Sequence, residues 1–372
     1  MLGKLADKHP ELVMFAGLPS DEQLMIEGEL FVFVIRRLAG NHPGFMKEIF
    51  ALLDRHQLET LDVYELNDAQ VSRVSEMRGH NWGKGPYRVS GGPPHTVILG
   101  YDWYPKLPGD GNQHSLLRNS NLTELKEEAR RLFNKKRWWW QHCNAVHSAD
   151  NEFEVFDYLE RIDHNVLVAM KLASSQRKKR FSSTEKIIEI LSEGRRSRTD
   201  LIEFKEKLAV RKTYKIGFEH YCTREIEARR LFSSDVKMPA VLASDGAHFV
   251  MEHIANTEYL DLKPMTDAEK RKAAKRFVEW VKAFWSLGYF QADFSPRNIL
   301  VTGDGQLHMI DFEFLQRYKG PKPEFKNAYE FTGNLRDGGA YDFPISQEPK
   351  YLRHSKNWNH LPFDKFVSEL IS

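Results

Sequence analysis

The stretch from Gln291 to Glu313 constrains this chain more than any other. It reads Gln291-Ala-Asp-Phe-Ser-Pro-Arg-Asn-Ile-Leu-Val301, then a Gly303-Asp-Gly305 turn, then His308-Met-Ile-Asp-Phe-Glu313. Asp293 and Asn298 stand five apart on one loop, and a hairpin through the glycine turn returns Asp311 beside them. Phosphoryl transfer asks little covalent chemistry of a protein. It needs a carboxylate that orients the attacking hydroxyl and oxygen ligands that hold magnesium against phosphates. Asp293 suits the first task, and Asn298 and Asp311 suit the second. A structural reading of the same residues, with Asp293 in a turn and Asp311 as a helix cap, competes with it.

A chain of 372 residues with 41% hydrophobic and 12% aromatic content has room for two packed domains. Its 54 Lys and Arg nearly cancel 52 Asp and Glu, which argues against a dedicated nucleic-acid binder. Two cysteines, Cys143 and Cys222, can build neither a disulfide framework nor a four-cysteine zinc site. Residues 1–15 lack an apolar stretch of signal-peptide length, and no uncharged apolar run approaches a membrane span. A reducing cytoplasmic setting is the expectation.

In the first half, Phe31-Val-Phe-Val-Ile35 predicts a strand. A helix with Phe45, Ile49, Leu52 and Leu53 on one face follows, then strands at 58–64 and 95–99 and helices at 122–133 and 152–162. This order predicts a compact α/β domain over 1–170. The polar, basic stretch from Ser174 to Ser183 predicts a solvated linker, drawn at 171–184, although Arg177 to Arg180 could meet phosphates. From 185 to 372, strands at 186–191, 199–204 and 208–214 form a meander, followed by a helix at 223–232 and short strands at 240–243 and 248–251. Thr266-Asp-Ala-Glu269 is a capping box opening a long helix with Ala273, Phe277, Trp280, Val281, Phe284 and Trp285 as its apolar stripe. Gly288 is its stop.

The 291–313 segment resembles the protein-kinase-like superfamily, whose catalytic loop reads H-R-D-x-x-x-x-N and whose metal loop reads D-F-G. Here the first becomes Gln291-Ala292-Asp293 with Asn298, and the second Asp311-Phe312-Glu313. The resemblance implies Asp293 as catalytic base, Asn298 and Asp311 as magnesium ligands, and ATP as phosphate donor. Leu208-Ala-Val-Arg-Lys212 resembles the V-A-I-K strand, and Thr223 to Ala228 the helix carrying its glutamate partner. Lys212 with Glu225 is the first pairing implied; Arg211 and Glu227 remain alternatives. Gly194 falls where the phosphate-covering loop belongs, and Glu252 to Ile254 where a hinge would meet adenine through its backbone. Gln291 replaces the motif histidine, Glu313 replaces its glycine, no A-P-E follows, and residues 312–372 are few for a full helical lobe. That reduced form is similar to bacterial lipopolysaccharide-core (Kdo/heptose) kinases and small atypical relatives.

In the first half, Asn144-Ala-Val-His-Ser-Ala-Asp150 resembles the N-x-x-H-G-S-D segment of nucleoside diphosphate kinases, and Ser90 to Leu99 their S-G-P strand. The resemblance implies a ferredoxin-like α/β sandwich, with His147 as the nucleophile and Asn144 near phosphates. Arg37 stands where that family has the lysine of K-P-D, and Ser148 replaces its glycine, so the expected module is degenerate: nucleotide-binding or self-assembling into a homo-oligomer. The expected whole is an α+β protein in which this sandwich precedes a bilobal kinase-like domain with a reduced second lobe. Its expected activity is ATP- and magnesium-dependent phosphorylation of a hydroxyl on a saccharide or glycolipid precursor. The alternatives are a protein Ser/Thr kinase, a nucleotide-binding pseudokinase scaffold and a phosphohistidine nucleoside diphosphate kinase.

Overall fold

A computed structural model describes residues 28–77, 86–106, 119–135, 137–255, 257–260, 262–333, 335, 341–342 and 361–371. Residues 1–15 lie outside the described residues. The chain divides into two compact units, 1–179 and 180–372.

The N-terminal unit is built on a four-stranded antiparallel sheet in the order β2-β3-β1-β4. Its strands are β1 (Glu29–Arg36), β2 (Glu59–Glu65), β3 (Pro94–Asp102) and β4 (Val146–Ser148). β1 and β3 are central, and their near-continuous apolar runs are buried on both faces, whereas the edge strand β2 is largely exposed. Gly100 of β3 sits where the Phe31 ring and the Glu59 carbonyl close in. A Cβ there would lie 2.1 Å from Phe31 Cζ, so only glycine fits. The helices are α1 (Phe45–Arg55), α2 (Asp68–Glu76), α3 (Ser120–Asn134), α4 (Glu152–Ile162) and α5 (His164–Arg180). α1 buries Phe45, Ile49, Leu52 and Leu53, the stripe its spacing predicts. α2 follows a capping box at Asn67 and Gln70 that the sequence reading passed over.

The division between the two units falls inside the stretch expected as a linker, 171–184, but its first part is not a solvated coil. Residues 171–180 are the second half of α5. No glycine or proline interrupts 164–180, and Arg177, Lys178 and Arg180 find partners. Arg177 donates to both oxygens of Glu59 at 3.0 and 2.6 Å, and Lys178 pairs with Glu152. Arg180 pairs with Glu219 at 2.5 Å.

The C-terminal unit opens with a five-stranded antiparallel sheet, order β5-β6-β7-β9-β8. It comprises β5 (Lys186–Glu193), β6 (Ser197–Phe204), β7 (Lys207–Tyr214), β8 (Val241–Ser244) and β9 (His248–Glu252). Helix α6 (Glu219–Phe232) lies between β7 and β8 in sequence and packs against β7 and β9. Then come β10 (Thr257–Tyr259), helix α7 (Asp267–Ser286), β11 (Tyr289–Gln291), β12 (Ile299–Thr302), β13 (Leu307–Met309) and β14 (Leu315–Arg317). The Thr266–Glu269 capping box starts α7, and Gly288 (φ +79°) in the left-handed region follows its end. Phe277, Trp280, Val281 and Phe284 of α7 are fully buried against Phe294, Phe312 and the C-terminal helix α9 (Asp364–Ile371); the one-turn helix α8 (Tyr329–Thr332) precedes it. The β12–β13 hairpin turns at Gly303–Gly305, and the Ile310 N–H donates to the Asn298 carbonyl at 3.0 Å. That bond sets Asp311 beside the loop carrying Asn298.

Candidate phosphotransfer site

Alternation along β7 sends Arg211 and Lys212 to opposite faces of the sheet. The Lys212 ammonium meets Glu225 Oε1 at 2.6 Å and Asp311 Oδ2 at 3.3 Å. Arg211 lies on the other side, donating to Asp200 Oδ2 at 2.9 Å and the Phe181 carbonyl at 3.1 Å. Glu225, on the buried face of α6, also accepts from Tyr214 Oη at 3.1 Å and pairs with Arg229 one turn on. Glu227 is not part of this cluster; among the described residues it accepts from the Tyr289 hydroxyl at 3.3 Å.

Burial alone would drive the Lys212 ammonium towards neutrality, but Asp311 and Glu225 outweigh it and hold the lysine well above its usual range. Burial would likewise raise Glu225. Lys212 and Arg229 overcome it and pull the carboxyl down to about 2. Asp311 goes the other way. Burial, against the pull of Lys212 and helped by the nearby charges of Glu313 and Glu225, lifts it to about 7. A carboxyl so crowded by negative charge is one that a cation would stabilise in its ionised form.

Asp293 and Asn298 sit on one loop between β11 and β12, closed by the 3₁₀ turn Pro296–Asn298 and capped by Ser295. The Asn298 side-chain amide donates to the Asp293 carbonyl at 3.3 Å and to its Oδ2 at 3.4 Å. Its amide oxygen meets no protein donor among the described residues and is left for another ligand. Gln291, which stands for the motif histidine, braces the loop by donating to the Asp311 carbonyl at 2.9 Å. In the 252–254 segment, where the resemblance implied a hinge, the Ile254 carbonyl accepts from Thr257 Oγ1 at 3.2 Å, while the Ile254 N–H has no partner among the described residues. Glu252 is tied to Ala240 both ways: its Oε2 accepts from the Ala240 N–H at 3.1 Å, and its own N–H donates to the Ala240 carbonyl at 3.0 Å. Gly194 closes the β5–β6 turn by donating to the Ser197 carbonyl at 2.8 Å. Among the described residues, no group of three or more His, Cys, Asp or Glu forms a metal cage. An Asn–Asp pair completed by phosphate oxygens and water is the usual way magnesium is held, so the donor set fits that ion.

Two contributors escaped the sequence reading. Arg196, on the β5–β6 turn, donates to Glu313 Oε1 at 2.5 Å and covers the Phe314 ring at 4.6 Å. The signal was the matched pair of departures, an arginine in a phosphate-loop position and a glutamate in place of the D-F-G glycine. Glu330, on α8, accepts from the Gln291 N–H at 2.9 Å and so holds the start of the Asp293 loop. Burial pushes its carboxyl up to about 8.

Residues 191–324 match the RIO domain family. Members of that family are atypical ATP-dependent protein kinases of the protein-kinase-like superfamily, and the match makes this part of the chain an ATP-binding phosphotransferase domain. The match carries no sign of the lipopolysaccharide-core kinase type, nor of a nucleoside diphosphate kinase in the first half. No curated protein matches the chain.

In the N-terminal unit, His147 lies on β4, buried, opposite Val34, with its ring 6.3 Å from that of Tyr158. Asn144 is engaged elsewhere. Its amide donates to the carbonyls of Tyr87 at 2.8 Å and Val89 at 3.2 Å. Arg37 is exposed, while the neighbouring Arg36 is buried, and burial together with the charge of Arg130 lowers it to about 10. Arg130 donates to the Val146 carbonyl beside His147 at 2.9 Å. These buried arginines were not singled out in the sequence.

Proposed function

We propose that the C-terminal unit is an ATP- and magnesium-dependent protein kinase acting on protein hydroxyl groups. The observation that carries the reading is the Lys212–Glu225–Asp311 cluster beside the Asp293–Asn298 loop, within a stretch that matches RIO domains. In this reading Lys212 binds the phosphates, held by Glu225, and Asp311 with the Asn298 amide oxygen holds magnesium. Bound there, magnesium would neutralise charge on the transferring phosphoryl group. Asp293 orients the acceptor hydroxyl and takes its proton, and the Ile254 N–H with the Glu252 carbonyl receives adenine. A protein acceptor is favoured over the saccharide expected from the sequence, because the family match points to protein kinases and nothing in the site selects a sugar. Residues retained at all three polar positions weigh against a pseudokinase scaffold.

For the N-terminal unit, the strand order β2-β3-β1-β4 supports the ferredoxin-like sandwich, with a helix inserted after β2. Asn144 is spent on the 87–89 segment, which favours a catalytically silent module over phosphohistidine chemistry.

The test is incubation of the full chain with γ-labelled ATP and magnesium, offered protein substrates and saccharide precursors side by side. Acid-stable label on protein Ser or Thr is the expected result. Transfer to saccharides alone would overturn the acceptor assignment. Magnesium-independent nucleotide binding would overturn the site.

A further inference from the structure

Just beyond α3 the chain runs through three consecutive tryptophans on a single 3₁₀ turn, Trp139–Gln141 and its cap Trp138. Trp138, Trp139 and Trp140 are 66%, 76% and 54% exposed, in a molecule whose other large aromatic side chains are mostly buried. At roughly 150–250 Å² per aromatic side chain, this is about 300–500 Å² of indole in one patch, the size at which an exposed apolar surface marks a binding site. None of the three indole N–H groups meets a protein acceptor among the described residues. A side chain with an apolar body and an unused donor is suited to a boundary between water and hydrocarbon.

The surroundings are cationic. A hollow of about 600 Å³ beside the patch is lined by Arg131, Lys135, Arg137, Trp138, Tyr87 and His142, among others. Arg137 is fixed over the Phe133 ring at 4.2 Å, and His142 donates to the Arg137 carbonyl at 3.2 Å. Glu128 is the one acid in the lining, and Arg55 and His56 already hold it at 2.7 and 2.9 Å. Glu127 stands 3.9 Å from Arg131. Arg131 is shared with Glu127, whereas Lys135 and Arg137 meet no acid among the described residues, so positive charge rims the hollow beside the indoles.

Trp138 and Trp140 stack on each other, with planes 3° apart and centroids 5.3 Å apart, and Trp139 meets Trp140 edge-on. Stacking on one another uses the faces between which a nucleotide base would slide. What remains outward is a rigid indole wedge rimmed by cations, the arrangement that seats in a headgroup layer. We infer that Trp138–Trp140, with Arg131, Lys135 and Arg137, form a peripheral docking site for a membrane surface bearing anionic phospholipid headgroups. No helix among the described residues is long and apolar enough to cross a membrane, so attachment through this patch is to the surface.

The experiment is sedimentation of the full chain with vesicles of phosphatidylcholine alone or mixed with phosphatidylglycerol, read with the tryptophan emission maximum. The expected result is binding to the anionic vesicles, a blue shift, and loss of both in Trp139→Ala/Trp140→Ala. Neutralising the rim with Lys135→Gln/Arg137→Gln should weaken binding to anionic vesicles by about 25-fold, roughly fivefold per cation, and leave any binding to neutral vesicles unchanged. MgATP affinity and the thermal midpoint of each variant serve as folding controls. A parent that ignores anionic vesicles overturns the inference, as does binding that both variants retain. So does tight binding of a single-stranded oligonucleotide that the tryptophan variant loses while vesicles are ignored by the parent.

Discussion

Lys212 and Arg211 are adjacent buried cations, each paired with a carboxylate, and exchanging each for methionine separates stability from nucleotide binding. In Lys212→Met, Glu225 keeps Arg229, but Asp311 loses the ammonium that stands 3.3 Å from it. In Arg211→Met, the fully buried Asp200 is left with Arg198 alone at 2.9 Å. Breaking a buried pair by removing one partner costs about 3–5 kcal/mol, so both variants should unfold at lower urea concentration. Lys212→Met should lose less at pH 6 than at pH 8, because Asp311, already raised to about 7, can protonate and shed the unpaired charge. Nucleotide binding should divide them. A charge-assisted hydrogen bond to phosphate is worth about 1.5–3 kcal/mol, so Lys212→Met should weaken MgATP roughly 10- to 150-fold by titration calorimetry. Arg211→Met, facing away, should stay within about threefold of the parent. Equal loss of affinity in the two variants, or none in Lys212→Met, would refute the assignment.

Glu330 predicts a pH dependence. Its folded value, about 8, lies above the ordinary carboxyl value, so its contribution is fully present in acid and is lost as pH rises from about 4.5 through 8. Glu330→Gln keeps the acceptor for the Gln291 N–H, and its stability relative to the parent should improve by up to about 4–5 kcal/mol between pH 5 and 9, at about 1.4 kcal/mol per pH unit; a difference independent of pH would refute the burial argument. Arg196→Ala leaves Glu313 unpaired beside Asp311 and should raise the Asp311 value further. MgATP affinity measured from pH 6 to 8.5 should then need a higher pH to reach its plateau than in the parent. His147 should acquire no acid-labile, alkali-stable phosphate from labelled ATP; such a label, abolished by His147→Ala, would restore phosphohistidine chemistry to the N-terminal unit.

The segment from Gln291 to Glu313 was legible because its chemistry depends on local spacing, and a hairpin is a short-range structure. The strands β1 and β3 and the stripes of α1 and α7 were legible for a similar reason, since burial imposes a period on the sequence. The choice between Arg211 and Lys212 was not. Leu208, Ala209 and Val210 are all apolar, so alternation could not say which face of β7 turns inward, and Leu208 proves half exposed. The Arg196–Glu313 and Gln291–Glu330 contacts span 117 and 39 residues, and only the fold brings them together. The basic run after Ser174 looked like a solvated linker because composition cannot show Glu59 and Glu152 waiting opposite Arg177 and Lys178. The exposed indoles passed unremarked because tryptophans are usually assumed to face a core.

The most direct test of the central claim is phosphoryl transfer by Asp293→Asn. The substitution keeps the size of the side chain and removes its charge. A positioned base typically contributes about 10²–10⁴ in rate. The account predicts that turnover falls by that order, with MgATP affinity within about threefold of the parent and an unchanged thermal midpoint. Transfer at the parental rate by Asp293→Asn would contradict it.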